Sequence, residues 1–88
     1  MKRIEAEKVV RDIIMEEFDV EEASIIPEAD FERDLGIDDL DITVLVMELE
    51  DRLEEKGFEI EISGDDERGF TTLQKVVDCL VVKGVCEA

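Results

Sequence analysis

Eight residues, Asp34-Leu35-Gly36-Ile37-Asp38-Asp39-Leu40-Asp41, lead straight into the largely apolar run from Ile42 to Leu49. This junction constrains the fold more than any other part of the chain. Asp38 is a good N-cap, and Asp39 and Asp41 place negative charge in a first turn, where the helix dipole favours it. A helix is expected from about Asp39 to Lys56. Leu40, Val44, Met47 and the pair Leu45, Leu49 continue through Leu53 along adjoining apolar stripes. Lys56-Gly57 supplies the stop, a cation in the last turn followed by a glycine able to take the left-handed cap.

Two more helices follow from the same kind of reading. Ile4, Val9, Val10, Ile13, Ile14 and Phe18 mostly keep helical spacing with charged residues between them, which predicts a first helix over 3–18. Thr71 to Gln74 has the form of a capping box, and Leu73, Val76, Val77, Leu80 and Val81 follow at helical spacing, so a last helix is expected over 71–83. Asp19 to Asp38 has no sustained period and contains Pro27 and Gly36; it reads as a long first loop pinned by Val20, Ile25, Ile26, Phe31, Leu35 and Ile37. Phe58, Ile60 and Ile62 alternate with Glu59 and Glu61, but no partner strand exists, so an extended connector is expected there. Ser63 to Gly69 holds at most a weak helical turn, because Gly64 and Gly69 disfavour it. The expected fold is all-α: one domain over 1–88, a small bundle of three to four helices with a long first loop. Its core should include Ile14, Phe31, Leu45, Leu49, Ile62, Val76 and Leu80.

Composition narrows the function. Ten basic residues against 27 acidic ones give a net charge of −17, which repels nucleic acid and anionic lipid and attracts basic protein surfaces. No apolar run approaches the roughly 20 residues of a membrane span. The N-terminus, Met1-Lys2-Arg3-Ile4-Glu5, is charged at once and lacks a signal-peptide core, which suggests a cytoplasmic protein or the mature form of an organellar one. The two cysteines, Cys79 and Cys86, would lie about 10 Å apart along one helix, too far to bridge. Cys79 is expected in the core and Cys86 in the tail.

Several blocks together resemble the acyl carrier protein family: Val9 to Phe18, Phe31-Glu32-Arg33-Asp34-Leu35-Gly36, the octet itself, Leu45-Val46-Met47-Glu48-Leu49-Glu50, Phe58-Glu59-Ile60-Glu61-Ile62 and Phe70-Thr71-Thr72-Leu73. The resemblance spans nearly the whole chain without evident insertions. It implies a carrier of acyl groups on phosphopantetheine in fatty-acid or related lipid or polyketide biosynthesis. In that family a serine in an Asp-Ser-Leu triplet at the start of the helix bears the arm through a phosphodiester. Here that position is Asp39, which has no hydroxyl. Asp39 is then either an engineered replacement that blocks modification or mimics the phosphodiester charge, or a native residue of a carrier-like protein that works by contacts alone. On either reading it is also a favourable residue near a helix N-terminus. As written the chain takes no cofactor at 39; 4'-phosphopantetheine is implied if residue 39 is serine in the natural protein. Thr43, Ser24 and Ser63 do not stand in the motif and do not substitute.

The resemblance also implies docking on basic surfaces of acyl-transfer and synthase enzymes, and on a phosphopantetheinyl transferase, by a monomer. The residues expected to carry it are Asp38, Asp41, Glu48, Glu50 and Asp51, around a gap at Val44, where typical carriers are acidic. An enzyme is not expected: the chain has no histidine, no cysteine with an activating neighbour and no glycine-rich phosphate loop. No metal site is expected either, since Asp34, Asp38 and Asp41 lack calcium-loop spacing. Two functions remain, a group carrier seen without its attachment serine and a non-carrying acidic module that docks on basic partner enzymes.

Overall fold

The computed structural model describes residues 1–88. Five α-helices follow in order: α1 Arg3–Phe18, α2 Phe31–Leu35, α3 Asp39–Glu55, α4 Gly64–Arg68 and α5 Leu73–Val82, with a short 3-10 turn over Glu22–Ser24. α1 packs against both α3 and α5, and α4 touches α3. No strand forms through 58–62; the only β-type pairing is an isolated bridge between Asp30 and Thr72. The all-α bundle is as the sequence implies.

Each long helix buries one stripe. α1 buries Ala6, Val10, Ile13 and Ile14, α3 buries Ile42, Leu45, Val46, Leu49 and Leu53, and α5 buries Leu73, Val76, Val77 and Leu80. Phe31 of α2 and Ile37, Ile62 and Phe70 of the connecting segments close the core, and no charged or polar residue is buried. All seven expected core residues lie inside.

Several expectations are corrected. The segment 19–38 is not loop throughout. Asp30 caps α2 by accepting from the Arg33 N–H at 2.8 Å, while its own N–H donates to Asp34 at 2.8 Å. Gly36, at φ 69°, then ends the helix in the left-handed region that glycine enters without a Cβ penalty. The last helix starts two residues late. The Thr71 carbonyl is taken by the Phe31 N–H at 2.8 Å, so Thr72 caps instead, accepting from Lys75 at 3.2 Å, and the Thr71–Gln74 box does not form. α4 does form, closed by a Ser63–Asp66 capping box despite its glycines.

The cysteines exchange their expected places. Cys79 is half-buried, whereas Cys86 is buried; both are free thiols. Gly84, at φ 80°, turns the chain back so that Val85 N–H reaches the Leu80 carbonyl at 2.9 Å. The Met1 ammonium then donates to Val85 O at 3.0 Å, and Glu87 N–H donates to Met1 O at 2.9 Å, which folds Cys86 under the end of α5.

Candidate functional site

The turn from α2 into α3 is fixed by the core on one side and a reciprocal cap on the other. The Ile37 N–H donates to Phe31 O at 2.8 Å and its side chain is buried, so α2 and the core fix where α3 begins. Asp38 is extended and caps α3: its carboxylate accepts from the Asp41 N–H at 3.0 Å, and the Asp41 carboxylate accepts in return from the Asp38 N–H at 3.2 Å. This reciprocal pair satisfies donors that a helix N-terminus otherwise leaves open. Asp39 sits inside the box at the first helical position. Its side chain is exposed and takes no hydrogen bond or ion pair within the chain.

Beside it lies a cleft of about 570 Å³, with Phe31, Ile37, Ile42 and Phe70 at its base and Asp39 and Glu67 among its lining residues. The other hydroxyls near this end are engaged or remote. Thr43 Oγ1 donates to Asp39 O and to Glu67, each at 3.3 Å; Ser63 caps α4; Ser24 is exposed in the 3-10 turn.

The five acidic residues expected to meet a partner do not form one patch. Asp38 and Asp41 are bound up in the cap. Glu48 accepts from Arg52 Nε at 3.2 Å, and the same guanidinium pairs with Glu16 of α1 at 2.6 Å. Glu50 lies on another flank of α3, where it accepts the Ile62 N–H at 2.9 Å and tethers the connector that precedes α4. Asp51 alone is exposed with a side chain in neither a hydrogen bond nor an ion pair.

Leu40, Val44 and Met47 are not core residues: they are 79%, 42% and 60% exposed. With Asp51 they recur at the spacing of one helix face, so α3 presents an apolar line ending in a free carboxylate. The sequence sets this line as a stripe adjoining the one that proves buried. The offset between the trio and Leu45, Leu49, Leu53 is the signal that separates them.

Neither thiol is primed for chemistry, since burial pushes both Cys79 and Cys86 above the ordinary cysteine value.

Comparison with known proteins addresses the resemblance directly. The family model described as a phosphopantetheine attachment site matches residues 8–80. The chain is 38% identical over 79 residues to an acyl carrier protein of Syntrophus aciditrophicus (strain SB), a match that covers 90% of this chain and 91% of that one. The chain belongs to the acyl carrier protein family. Acyl carrier proteins are carriers and not catalysts, and this chain is accordingly not an enzyme. No helix is long and apolar enough to cross a membrane. Phosphopantetheine is the group this family carries, and the side chain of Asp39 does not fit its attachment. A carboxylate offers no alcohol oxygen for the phosphodiester, although the backbone holds the residue at the mouth of a cleft with its side chain free.

Proposed function

We propose that this chain is an acyl carrier protein of fatty-acid or related lipid or polyketide biosynthesis whose attachment position is residue 39, and that with Asp39 it docks on its partner enzymes without the arm. The observation that carries this reading is the Asp38–Asp41 box. It closes around residue 39 while leaving that side chain exposed and uncommitted. An exposed side chain with no partner, held at a capped turn, is open to a modification enzyme. The docking face is the α3 line Leu40, Val44, Met47 and Asp51, with Glu48 beside it and Asp38 and Asp41 at its N-terminal end; Glu50 serves the fold more than the partner. Basic surfaces of acyl-transfer and synthase enzymes complement a net charge of −17. The working form is a cytoplasmic monomer.

Intact-mass spectrometry tests the attachment reading. The chain and its Asp39→Ser variant are incubated with coenzyme A and a phosphopantetheinyl transferase. A gain of one phosphopantetheine on the serine variant alone supports a disabled carrier. No gain on either favours the non-carrying docking module, the second reading, to which the carboxylate at 39 and the exposed apolar line on α3 both lend weight. A gain on the unaltered chain would place the attachment point elsewhere.

A further inference from the structure

Four aspartates stand between residues 34 and 41, and three of them are engaged. Asp34 accepts from the Asp30 N–H at 2.8 Å and pairs with Arg33 at 3.6 Å, while Asp38 and Asp41 cap α3 for each other. Asp39, alone of the four, keeps its carboxylate free of any partner. Arg68 lines the same cleft, yet it pairs with Asp65. Leu40, the next residue, is 79% exposed. A docked partner therefore meets an unneutralised carboxylate at the head of an exposed apolar line, on backbone that the flanking cap holds in place.

That charge has a consequence at an enzyme that transfers phosphopantetheine from coenzyme A. A serine hydroxyl enters such a site uncharged, beside a donor diphosphate that cations hold, as phosphoryl transfer requires. A carboxylate at residue 39 brings a negative charge to the hydroxyl's position. Like charges a few ångströms apart repel, so carboxylate and diphosphate exclude each other. With the diphosphate absent, the same cations give the carboxylate charge-assisted hydrogen bonds. A serine-bearing carrier and coenzyme A thus bind together, whereas this chain and coenzyme A compete.

We propose that this chain is a dead-end ligand of a phosphopantetheinyl transferase. Its Asp39 carboxylate occupies the cationic subsite of the coenzyme A diphosphate, and the chain thereby restrains arm transfer to serine-bearing carriers. This rests on residue 39 being the attachment position, as proposed above.

Inhibition kinetics test it. Arm transfer to the Asp39→Ser variant, by the transferase of the attachment experiment, is followed by intact mass at several concentrations of coenzyme A. The inhibitor added is either the unaltered chain or Asp39→Asn; all three chains keep Asp38 and Asp41, and so the cap. The unaltered chain should compete with the serine variant, and its inhibition constant should rise with coenzyme A. Asp39→Asn has the same shape without the charge. At low coenzyme A it should inhibit about tenfold less strongly or weaker still, the loss of one hydrogen bond to a charged group. Its inhibition constant should not move with coenzyme A. Loading of the serine variant with no inhibition by the unaltered chain would overturn the dead-end complex and leave the attachment reading standing. Equal inhibition by the aspartate and asparagine chains, or inhibition indifferent to coenzyme A, would overturn the cationic subsite. A serine variant that takes no arm would sink the attachment reading and this inference with it.

Discussion

Arg52 of α3 reaches Glu16 of α1 at 2.6 Å, and this pair joins the two longest helices of the bundle across their solvent edge. The same guanidinium holds Glu48 at 3.2 Å, so one cation serves two carboxylates in a chain where anions outnumber cations 27 to ten. Arg52→Met should lower stability by about 1 kcal/mol, the upper range for a partly exposed pair within a small network. The loss should shrink in 1 M salt, where screening acts over about 3 Å. Urea unfolding at low and high salt measures both.

Glu50 and Asp51 are neighbours with different tasks. Glu50→Ala leaves the Ile62 N–H without its acceptor and should cost about 1 kcal/mol in urea unfolding. Asp51→Lys should leave the unfolding midpoint within experimental scatter. It should instead slow association with a basic partner enzyme, most strongly at low salt, because exposed charges act on encounter more than on fold. Stopped-flow association rates beside thermal unfolding of both variants separate the two roles.

The exposed line of α3 gives a third test. Met47→Ser and Leu40→Ser remove apolar surface that the bundle does not bury, so stability should change by no more than about 0.5 kcal/mol. Leu49→Ser or Leu49→Ala, two positions from Met47 but fully buried, should cost about 2 to 5 kcal/mol. If Met47→Ser destabilised the chain as much as Leu49→Ala, the face assignment of α3 would be wrong.

The Asp66–Lys83 pair carries a pH signature. The Lys83 ammonium first, then the Ser63 N–H and hydroxyl, hold Asp66 below its ordinary value of 3.8, while Asp66 holds Lys83 above its ordinary 10.5. A lowered carboxylate contributes stability above its unfolded value and loses it as pH falls through the folded one. A raised ammonium contributes below its unfolded value and loses it as pH rises through the folded one. The melting-temperature difference between the chain and Asp66→Asn should therefore be flat from about pH 5 to 9. It should close below about pH 4 and again above about pH 10.5. Glu61 and Cys79 are the other titrating groups that act on Lys83, and Lys83 and Asp66 both act on Cys79.

Much of the fold was written in local pattern. Leu45, Leu49 and Leu53 fall on one face by spacing alone, the bounds of α3 follow from the cap and stop in its own sequence, and those of α1 from the spacing of its apolar residues. What escaped was set by contacts between distant segments. Thr72 rather than Thr71 caps α5 because Phe31, some forty residues earlier, claims the Thr71 carbonyl. Cys86 is buried because the Met1 end of the chain folds against Val85. The site was legible in part. The cap residues and the position of Asp39 came from the motif. The separation of Glu50 from Asp51 required knowing where Ile62 lies, which no helical period contains.

The Asp38–Asp41 box has a consequence for how such a chain can change. The helix draws its start from residues 38 and 41, so residue 39 acts on folding only through its charge in the first turn, and serine in place of aspartate there should change stability by no more than about 1 kcal/mol. If residue 39 is the attachment position, as proposed, gain or loss of its hydroxyl is thus nearly uncoupled from the architecture of the bundle. On the proposed reading a carrier and a decoy can share one scaffold, and a partner enzyme would tell them apart by the charge and the chemistry of residue 39 alone.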